Sequence, residues 1–196
     1  MFSRLAVWGI LLPASASSVV MARNMPRLVA FDLDGTIWTP DMYELWGGGA
    51  PFRVISCDKL KDKAGTTVRL LGDSANILRE LKYEQPDIIT TWVSCTDEPS
   101  WAEECLKKFT TKEGESIGSL VNGQPQIFKA NKQEHFKRLL KAYPTLVYED
   151  IIFFDNEMGN IRSVSKLGVL AIYTPDGMTR EVWNEGLRLF AQKRKS

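Results

Sequence analysis

Residues 28–36 have the sequence Leu28-Val29-Ala30-Phe31-Asp32-Leu33-Asp34-Gly35-Thr36, in which an unbroken apolar run stops at a carboxylate. A short apolar run of this kind is typical of a strand that is buried on both faces of a parallel sheet. Two more such runs end at a polar residue: Ile88 to Val93 precedes Ser94, and Ile151 to Phe154 precedes Asp155. These runs predict three central strands of one sheet.

Helical patterns separate these runs. The first helix starts at Asp73 or Ser74, and the second starts at Pro99. The other three cover residues 132–143, Asn160 to Lys166, and Thr179 to Lys195. A fourth strand pattern, Val169 to Tyr173, lies between the last two helices. Strands that alternate with helices form βαβ units. The sequence therefore predicts an α/β fold with a doubly wound, Rossmann-like and mainly parallel sheet.

Residues 39–71 do not follow this alternation. They contain Pro40, Pro51 and three consecutive glycines, Gly47 to Gly49, followed by short alternating pieces. Glycine and proline mark turns and loops. We expect a loop and a short β-hairpin flap after the first strand, which is too small to be a separate lid domain.

Polar residues at the ends of the predicted strands are the candidates for a functional site. Ligands of open α/β sheets bind outside the carboxyl ends of the strands, so we expect Asp32, Ser94 and Asp155 to converge there. Each of them taken singly is more typical of a turn or a helix cap, whereas all three together favour a site. Asp34 adds a carboxylate two residues after Asp32, and two nearby carboxylates need a cation or a proton between them. Mg²⁺ is the natural partner of such oxygen ligands.

These segments resemble the four motifs of the haloacid dehalogenase (HAD) superfamily, in the order of that family. Phe31 to Thr36 is similar to the first motif, Ser94 to the second, Lys132 to the third, and Phe153-Phe154-Asp155-Asn156-Glu157 to the fourth. Within the superfamily, the chain resembles the eukaryotic magnesium-dependent phosphatases, which are capless and carry a short hairpin over the site. That resemblance is carried by Phe31 to Trp38, Ser94 to Glu98, His135 to Leu139, Ile152 to Ile161 and Ser163 to Val169.

The resemblance implies a role for each matching residue. Asp32 would be the nucleophile that forms an aspartyl-phosphate, and Asp34 would be the acid and base that protonates the leaving oxygen and then activates water. Ser94 would hydrogen-bond a phosphate oxygen, and Lys132 would offset the charge on the transition state. Mg²⁺ would be held by the Asp32 carboxylate, the Asp34 backbone carbonyl and a side chain from Asp155-Asn156. The predicted substrate contacts are Leu33, Trp38, Ser94, Cys95 and Lys132.

Two of these positions carry open questions. Many relatives have two adjacent acids where this chain has Asp155-Asn156. An amide oxygen can ligate Mg²⁺ without contributing charge, so we expect activity with weaker metal affinity. Trp38, together with Tyr43 and Trp46, either lines the mouth of the site and stacks on a substrate or packs under the flap.

The predicted activity is that of a Mg²⁺-dependent phosphomonoesterase. An open, capless site suits phosphotyrosine, other phosphoprotein groups and sugar phosphates attached to proteins. Small phosphate esters and a non-catalytic phosphate-binding scaffold are the alternatives. A dehalogenase is disfavoured by Asp34, because a halide leaves without a proton.

Composition limits the other classes of function. The chain has 196 residues, which suits one domain, and its formal net charge is +1, so no nucleic-acid partner is expected. Three cysteines without a Cys-x-x-Cys spacing indicate neither a disulfide framework nor a zinc site. We expect a monomer.

Residues 1–24 differ from the rest of the chain. Arg4, the apolar run from Leu5 to Leu12 and the small residues Ala14 to Ser18 are typical of a cleavable leader, or of an organelle transit peptide. The alternative is translation from Met21 or Met25, which would give a cytoplasmic protein. The apolar run is too short to span a bilayer, so no stable membrane insertion is expected. In either case we assign the phosphatase domain to residues 25–196.

Overall fold

The computed structural model describes residues 24–194. Its centre is a five-stranded parallel sheet in the order β7-β6-β1-β8-β9. These strands are β1 (Leu28–Phe31), β6 (Ile89–Ser94), β7 (Gln126–Ile127), β8 (Ile151–Asp155) and β9 (Leu170–Tyr173). The prediction of a mainly parallel sheet is confirmed, with β1 between β6 and β8.

In the described part of the chain, five α-helices cover the two faces of this sheet. They are α1 (Ser74–Glu84), α2 (Pro99–Lys108), α3 (Lys132–Ala142), α4 (Met158–Ser165) and α5 (Arg180–Lys193). Successive side chains of a strand point to opposite faces. Val29 and Phe31 therefore pack with α1, α2 and α5, whereas Leu28 and Ala30 pack with α3 and α4. This arrangement is the doubly wound fold that the sequence predicts.

The segment after β1 is larger than the expected hairpin. It forms a four-stranded antiparallel sheet in the order β2-β5-β4-β3. The strands are β2 (Trp38–Thr39), β3 (Arg53–Ser56), β4 (Lys59–Lys61) and β5 (Thr67–Leu70). We call it the flap sheet. Its inner face buries Leu60 and Val68 beside Trp38. The prediction of a single hairpin was incomplete, because strands of two to four residues show little periodicity in the sequence.

Helix boundaries follow the predicted pattern, with local differences. Helix α4 begins at Met158 rather than Asn160, and α5 buries Trp183 and Phe190 in the core. Within residues 24–194, no helix is both long and apolar enough to cross a bilayer. The predicted leader falls almost wholly in residues 1–23, outside the described residues.

Candidate active site

The carboxyl ends of three neighbouring strands form one pocket. Asp32 follows β1, Ser94 ends β6 and Asp155 ends β8, as the strand order β6-β1-β8 requires. The residues that line the pocket are Asp32, Asp34, Asp41, Tyr43, Ser94, Cys95, Ala130, Asn131, Lys132, Asn156, Glu157 and Asn160. Asp155 lies behind this lining and is fully buried. The predicted convergence of strand-end residues is therefore present.

Lys132 is the central cation of the pocket. Its ammonium donates to Asp32 Oδ1 at 2.5 Å and to the Val93 carbonyl at 2.8 Å, and lies 3.3 Å from Asp155 Oδ2. The lysine is the first residue of α3, whose N-cap Asn131 accepts a hydrogen bond from the Glu134 N–H. A side chain that is 3% exposed and paired with two carboxylates is not a solvated surface lysine.

The preceding loop is held in place by His135. Its two ring nitrogens lie 2.9 and 3.0 Å from the carbonyl oxygens of Asn131 and Phe128, and its ring stacks on that of Phe128. These contacts fix the backbone that leads into Lys132. Burial lowers the pKa of His135 against the opposing effect of the two carbonyl oxygens, and the backbone contacts indicate a structural role for the ring.

One buried ammonium does not neutralise the acids around it. Burial raises the pKa of Asp32 despite the Lys132 charge, and burial together with Asp32 raises the pKa of Asp155 to about 6. Burial acts to lower the pKa of Lys132, but the two carboxylates outweigh it and the net direction is upward. The lysine is therefore charged, and the site has an excess of negative charge that a bound cation would offset.

Asp34 lies on the turn that follows β1. Gly35 makes this turn with a φ of +66°, and a Cβ at that position would lie 2.0 Å from Asn156 Nδ2. Asp34 Oδ1 accepts a hydrogen bond from Trp38 Nε1 at 2.7 Å. Burial, opposed by that hydrogen bond and reinforced by the Asp32 charge, raises the pKa of Asp34 to about 7. A carboxyl group that is half protonated near neutral pH can serve as an acid and as a base.

Asn156 supplies the observation that tests the predicted magnesium site. Its Oδ1 is buried and has no hydrogen-bond partner among residues 24–194. A buried carbonyl oxygen without a donor is costly, and a hard cation is a suitable partner for it. Together with the Asp32 carboxylate and the Asp34 backbone carbonyl, this oxygen fits Mg²⁺.

Asp155 has a different environment from its neighbour. Asp155 Oδ1 accepts from the Glu157 N–H at 2.7 Å, and both carboxylate oxygens lie within 3.2 Å of Asn160 Nδ2. Its second oxygen also faces Lys132. These contacts hold the carboxylate in a fixed orientation, and a direct bond from Asp155 to the metal stays a prediction.

Not every predicted substrate contact faces the pocket. Ser94 and the exposed Cys95 line it, but Trp38, on β2 of the flap sheet, is fully buried. The expectation that Trp38 contacts substrate was wrong, because its indole ring packs in the core and its N–H is used by Asp34. The Leu33 side chain is fully buried as well, so only its backbone could contact substrate.

Besides Ala130, three polar residues of the pocket were not predicted from the sequence. Asn131 and Asn160 lie at the starts of helices α3 and α4, and Asp41 lies in the loop after β2. Asn160 follows Asp155 by five residues, which places it on the first turn of the helix after the strand end. That spacing was a usable signal for Asn160, whereas Asp41 is brought to the pocket only by the path of the loop.

Within residues 24–194, no group of three or more His, Cys, Asp and Glu side chains has an arrangement suited to a metal ion. The predicted set of Mg²⁺ ligands is compatible with this finding, because it includes the Asn156 amide oxygen and the Asp34 backbone carbonyl. Neither of these donors is a His, Cys, Asp or Glu side chain.

The parallel sheet and the pocket of Asp32, Asp34, Ser94 and Lys132 define a phosphatase of the HAD superfamily. The acid phosphatase family model matches residues 24–193, so the chain belongs to that family. The predicted membership of the HAD superfamily is thereby confirmed.

Two curated relatives support this assignment. The chain is 31% identical over 175 residues to Magnesium-dependent phosphatase 1 of Homo sapiens, which covers 88% of this chain and 90% of that protein. It is 29% identical over 158 residues to a HAD-like hydrolase superfamily protein of Schizosaccharomyces pombe, covering 76% of this chain and 87% of that protein. The similarity thus spans at least three quarters of this chain and of each relative.

Solved structures agree with the fold. One is the N-terminal part of a Bacteroides fragilis protein that contains a phosphatase domain, complexed with Mg, with a TM-score of 0.58, 16% identity, and coverage of 88% of this chain and 43% of that chain. Another is a HAD-superfamily hydrolase from Ehrlichia chaffeensis, with a TM-score of 0.55, 14% identity, and coverage of 86% and 97%. At these identities the likeness concerns the fold.

Proposed function

We propose that this chain is a Mg²⁺-dependent phosphomonoesterase that works through an aspartyl-phosphate on Asp32. The observation that carries the proposal is the arrangement around Lys132. Its ammonium bridges Asp32 and Asp155 in the same pocket in which the Asn156 amide oxygen has no hydrogen-bond partner among the described residues. The human relative is named as a magnesium-dependent phosphatase, which supports the same activity here.

Asp32 acts first in the proposed reaction. Its carboxylate attacks the phosphorus of the ester, forming a new oxygen–phosphorus bond while the bond to the leaving oxygen breaks. Lys132 holds Asp32 in position and offsets negative charge on the transferred group. The Ser94 hydroxyl, at the end of β6, donates a hydrogen bond to a phosphate oxygen.

Asp34 acts as the general acid in the first step and as the general base in the second. In its protonated form it donates a proton to the leaving oxygen, so the alcohol departs neutral. The resulting carboxylate then accepts a proton from water as the water attacks phosphorus, which releases inorganic phosphate and restores Asp32. A pKa of about 7 makes both forms of Asp34 accessible near neutral pH.

Residues fit to hold Mg²⁺ are Asp32 through its carboxylate, Asp34 through its backbone carbonyl, and Asn156, with Asp155 as a further predicted ligand. When bound, Mg²⁺ supplies positive charge that reduces the repulsion between an anionic phosphate and an anionic nucleophile.

The proposed substrates are phosphotyrosine or other phosphoprotein groups, or sugar phosphates linked to protein. The pocket opens beside Tyr43, whose side chain is 69% exposed and can contact an aromatic or extended group. Small phosphate esters are the alternative substrates, and a phosphate-binding scaffold is the alternative without catalysis.

Hydrolysis of a chromogenic aryl phosphate, with and without Mg²⁺, tests the activity. The native chain should turn over only with the metal, and Asp32→Asn should reduce turnover by about 10³-fold or more. Asp87→Asn is a matched control, because Asp87 is exposed at the opposite end of β6. If the native chain bound phosphate but hydrolysed none of a broad panel of esters, the scaffold would replace this proposal.

A further inference from the structure

The outer face of the flap sheet carries four cations. They are Arg53 on β3, Lys59 and Lys61 on β4, and Arg69 on β5. We call this surface the basic face. Three of the four side chains are exposed and Lys61 is half-buried, whereas the adjacent residues Leu60 and Val68 are buried on the inner face. The alternation of buried and exposed residues sets the cations on one side of the sheet.

The register of the strands places these cations next to one another. Arg53 is directly opposite Lys61, and Lys59 is directly opposite Arg69. Directly opposed side chains on antiparallel strands have Cβ atoms about 5 Å apart, and like charges at that distance destabilise the pair. The flap sheet therefore tolerates two unfavourable pairs on one small surface.

Nearby acids offset this surface only in part, since the Asp58 carboxylate interacts electrostatically with Lys59. Among the residues that the structure describes, none of the four cations takes part in a salt bridge. Asp58, at the turn between β3 and β4, accepts a hydrogen bond from Ser56 Oγ. Asp62 is buried and accepts from the backbone N–H groups of Gly49 and Thr66. With a formal net charge of only +1 for the whole chain, this cluster is a local excess of positive charge.

The basic face lies close to the catalytic pocket. Arg69 is directly opposite Thr39 on β2, and the neighbouring Trp38 donates to Asp34. Adjacent strands are about 4.8 Å apart, so β4 lies about 10 Å from β2. An extended peptide advances about 3.4 Å per residue. Four to six residues are therefore long enough to reach from β4 to β2 and on into the pocket.

The pocket mouth has the opposite charge. Asp41 and Glu157 line it, and its only basic side chain, among the described lining residues, is Lys132, which is buried and paired with Asp32. A substrate therefore meets negative charge beside the reacting phosphate and positive charge several residues away.

We propose that the basic face docks an acidic segment of a phosphorylated protein substrate, four to six residues from the phosphorylated side chain. This inference rests on the phosphatase activity proposed above, and it narrows the substrate class. Carboxylates two residues apart in an extended peptide are about 7 Å apart, which matches the spacing of Lys59 and Lys61 on one strand. A phosphoprotein carries both the ester for the pocket and the carboxylates for the flap sheet on one chain.

Three phosphotyrosine peptides of equal length test this assignment. One has a block of three glutamates four to six residues from the phosphotyrosine, one has the same block directly adjacent to it, and one has neutral residues throughout, each made with the block on either side. At low salt, kcat/KM for the distal block should exceed that for the neutral peptide by about fivefold, as several rim ion pairs together allow. The adjacent block should give a value below that of the neutral peptide.

Variants identify the surface responsible. The double variant Lys59→Gln/Arg69→Gln should bring the ratio of distal-block to neutral peptide close to one, and 0.5 M salt should do the same for the native chain. Lys137→Gln/Lys141→Gln is the matched control, because both lysines are exposed on α3. Its ratio should equal that of the native chain.

Each other outcome contradicts the docking proposal. A ratio of one for the native chain, or a ratio that the double variant leaves unchanged, overturns it. Binding of phosphatidylserine vesicles or of an oligonucleotide that depends on Lys59 and Arg69, together with a peptide ratio of one, assigns the face to that polyanion instead. If the neutral peptide and the aryl phosphate are both inert, the phosphatase activity has failed, whereas turnover with a ratio of one removes only the docking surface.

Discussion

The pocket and the basic face both concentrate like charges, but at opposite exposures. In the pocket, Asp32 and Asp155 share one ammonium while buried, so each additional negative charge is expensive and raises a carboxyl pKa. On the basic face, Lys59 and Arg69 face solvent, which screens their repulsion. Buried like charges thus need a counter-charge within the folded protein, whereas exposed like charges are tolerated without one and remain accessible to a binding partner.

Removing the Lys132 ammonium, which Asp32 and Asp155 share, should have the largest effect on activity and on stability. We expect Lys132→Met to lower kcat/KM by about 10³-fold, because Asp32 loses its orientation and the transition state loses a charge. The variant should also lose about 3 kcal/mol of unfolding free energy in urea, since two buried carboxylates lose their partner. Lys137→Met, on the exposed side of the same helix, should change neither quantity. A kcat/KM within tenfold of the native value would show that Lys132 is not part of the chemistry.

The pH dependence should report the burial of Asp34. Its pKa is raised to about 7, so the protonated acid needed for the first step is lost as the pH rises above that value. For an alkyl phosphate, whose leaving oxygen needs a proton, kcat/KM should fall about tenfold per pH unit above about pH 7. Trp38→Phe removes a hydrogen bond that lowers this pKa, so the falling limb should move to higher pH. A limb that stays in place in the variant would separate Asp34 from the observed titration.

Adding a negative charge at Asn156 should sharpen the metal dependence of the pocket. We expect Asn156→Asp to lower the Mg²⁺ concentration for half-maximal activity by about tenfold, because ligand charge strengthens the binding of a hard cation. A Mg²⁺ titration of the initial rate measures this. Asn184→Asp, exposed on α5, is the control for a general charge effect. An unchanged half-activation concentration would mean that Asn156 does not ligate the metal.

On the basic face the corresponding change should be small. Lys59→Gln removes one member of a directly opposed pair, so the unfolding free energy should rise by about 0.2–1 kcal/mol at low salt. The gain should vanish at high salt, and Lys137→Gln should show none. A loss of stability at low salt would show that the attraction between Lys59 and Asp58 outweighs the repulsion between Lys59 and Arg69, which would contradict an excess of positive charge on the basic face.

The parts of the site that the sequence predicted are those tied to strand ends. Asp32, Ser94 and Asp155 follow runs whose apolar character is local, and parallel pairing then brings them together without further information. Lys132 became a candidate through resemblance alone, because its pairing with Asp32 spans a separation of 100 residues. Chain pattern cannot specify such a contact.

The remaining differences arise from tertiary packing. Trp38 was expected either to line the mouth of the active site or to pack under the flap. Its ring is buried in the core beside the flap sheet, and no local sequence pattern indicates this burial. The flap sheet itself consists of strands too short to show a clear period. The basic face was invisible in the net charge of +1, because a total hides how strands place charges next to one another.

Detection of the covalent intermediate tests the central claim most directly. The native chain, mixed with Mg²⁺ and an aryl phosphate and quenched in acid, should carry one phosphate on the peptide that contains Asp32, as mapped by mass spectrometry. The adduct should be absent from Asp32→Asn and from a reaction without the metal. A phosphate on any other residue, or metal-dependent turnover that persists in Asp32→Asn, would contradict the assignment of Asp32 as the nucleophile.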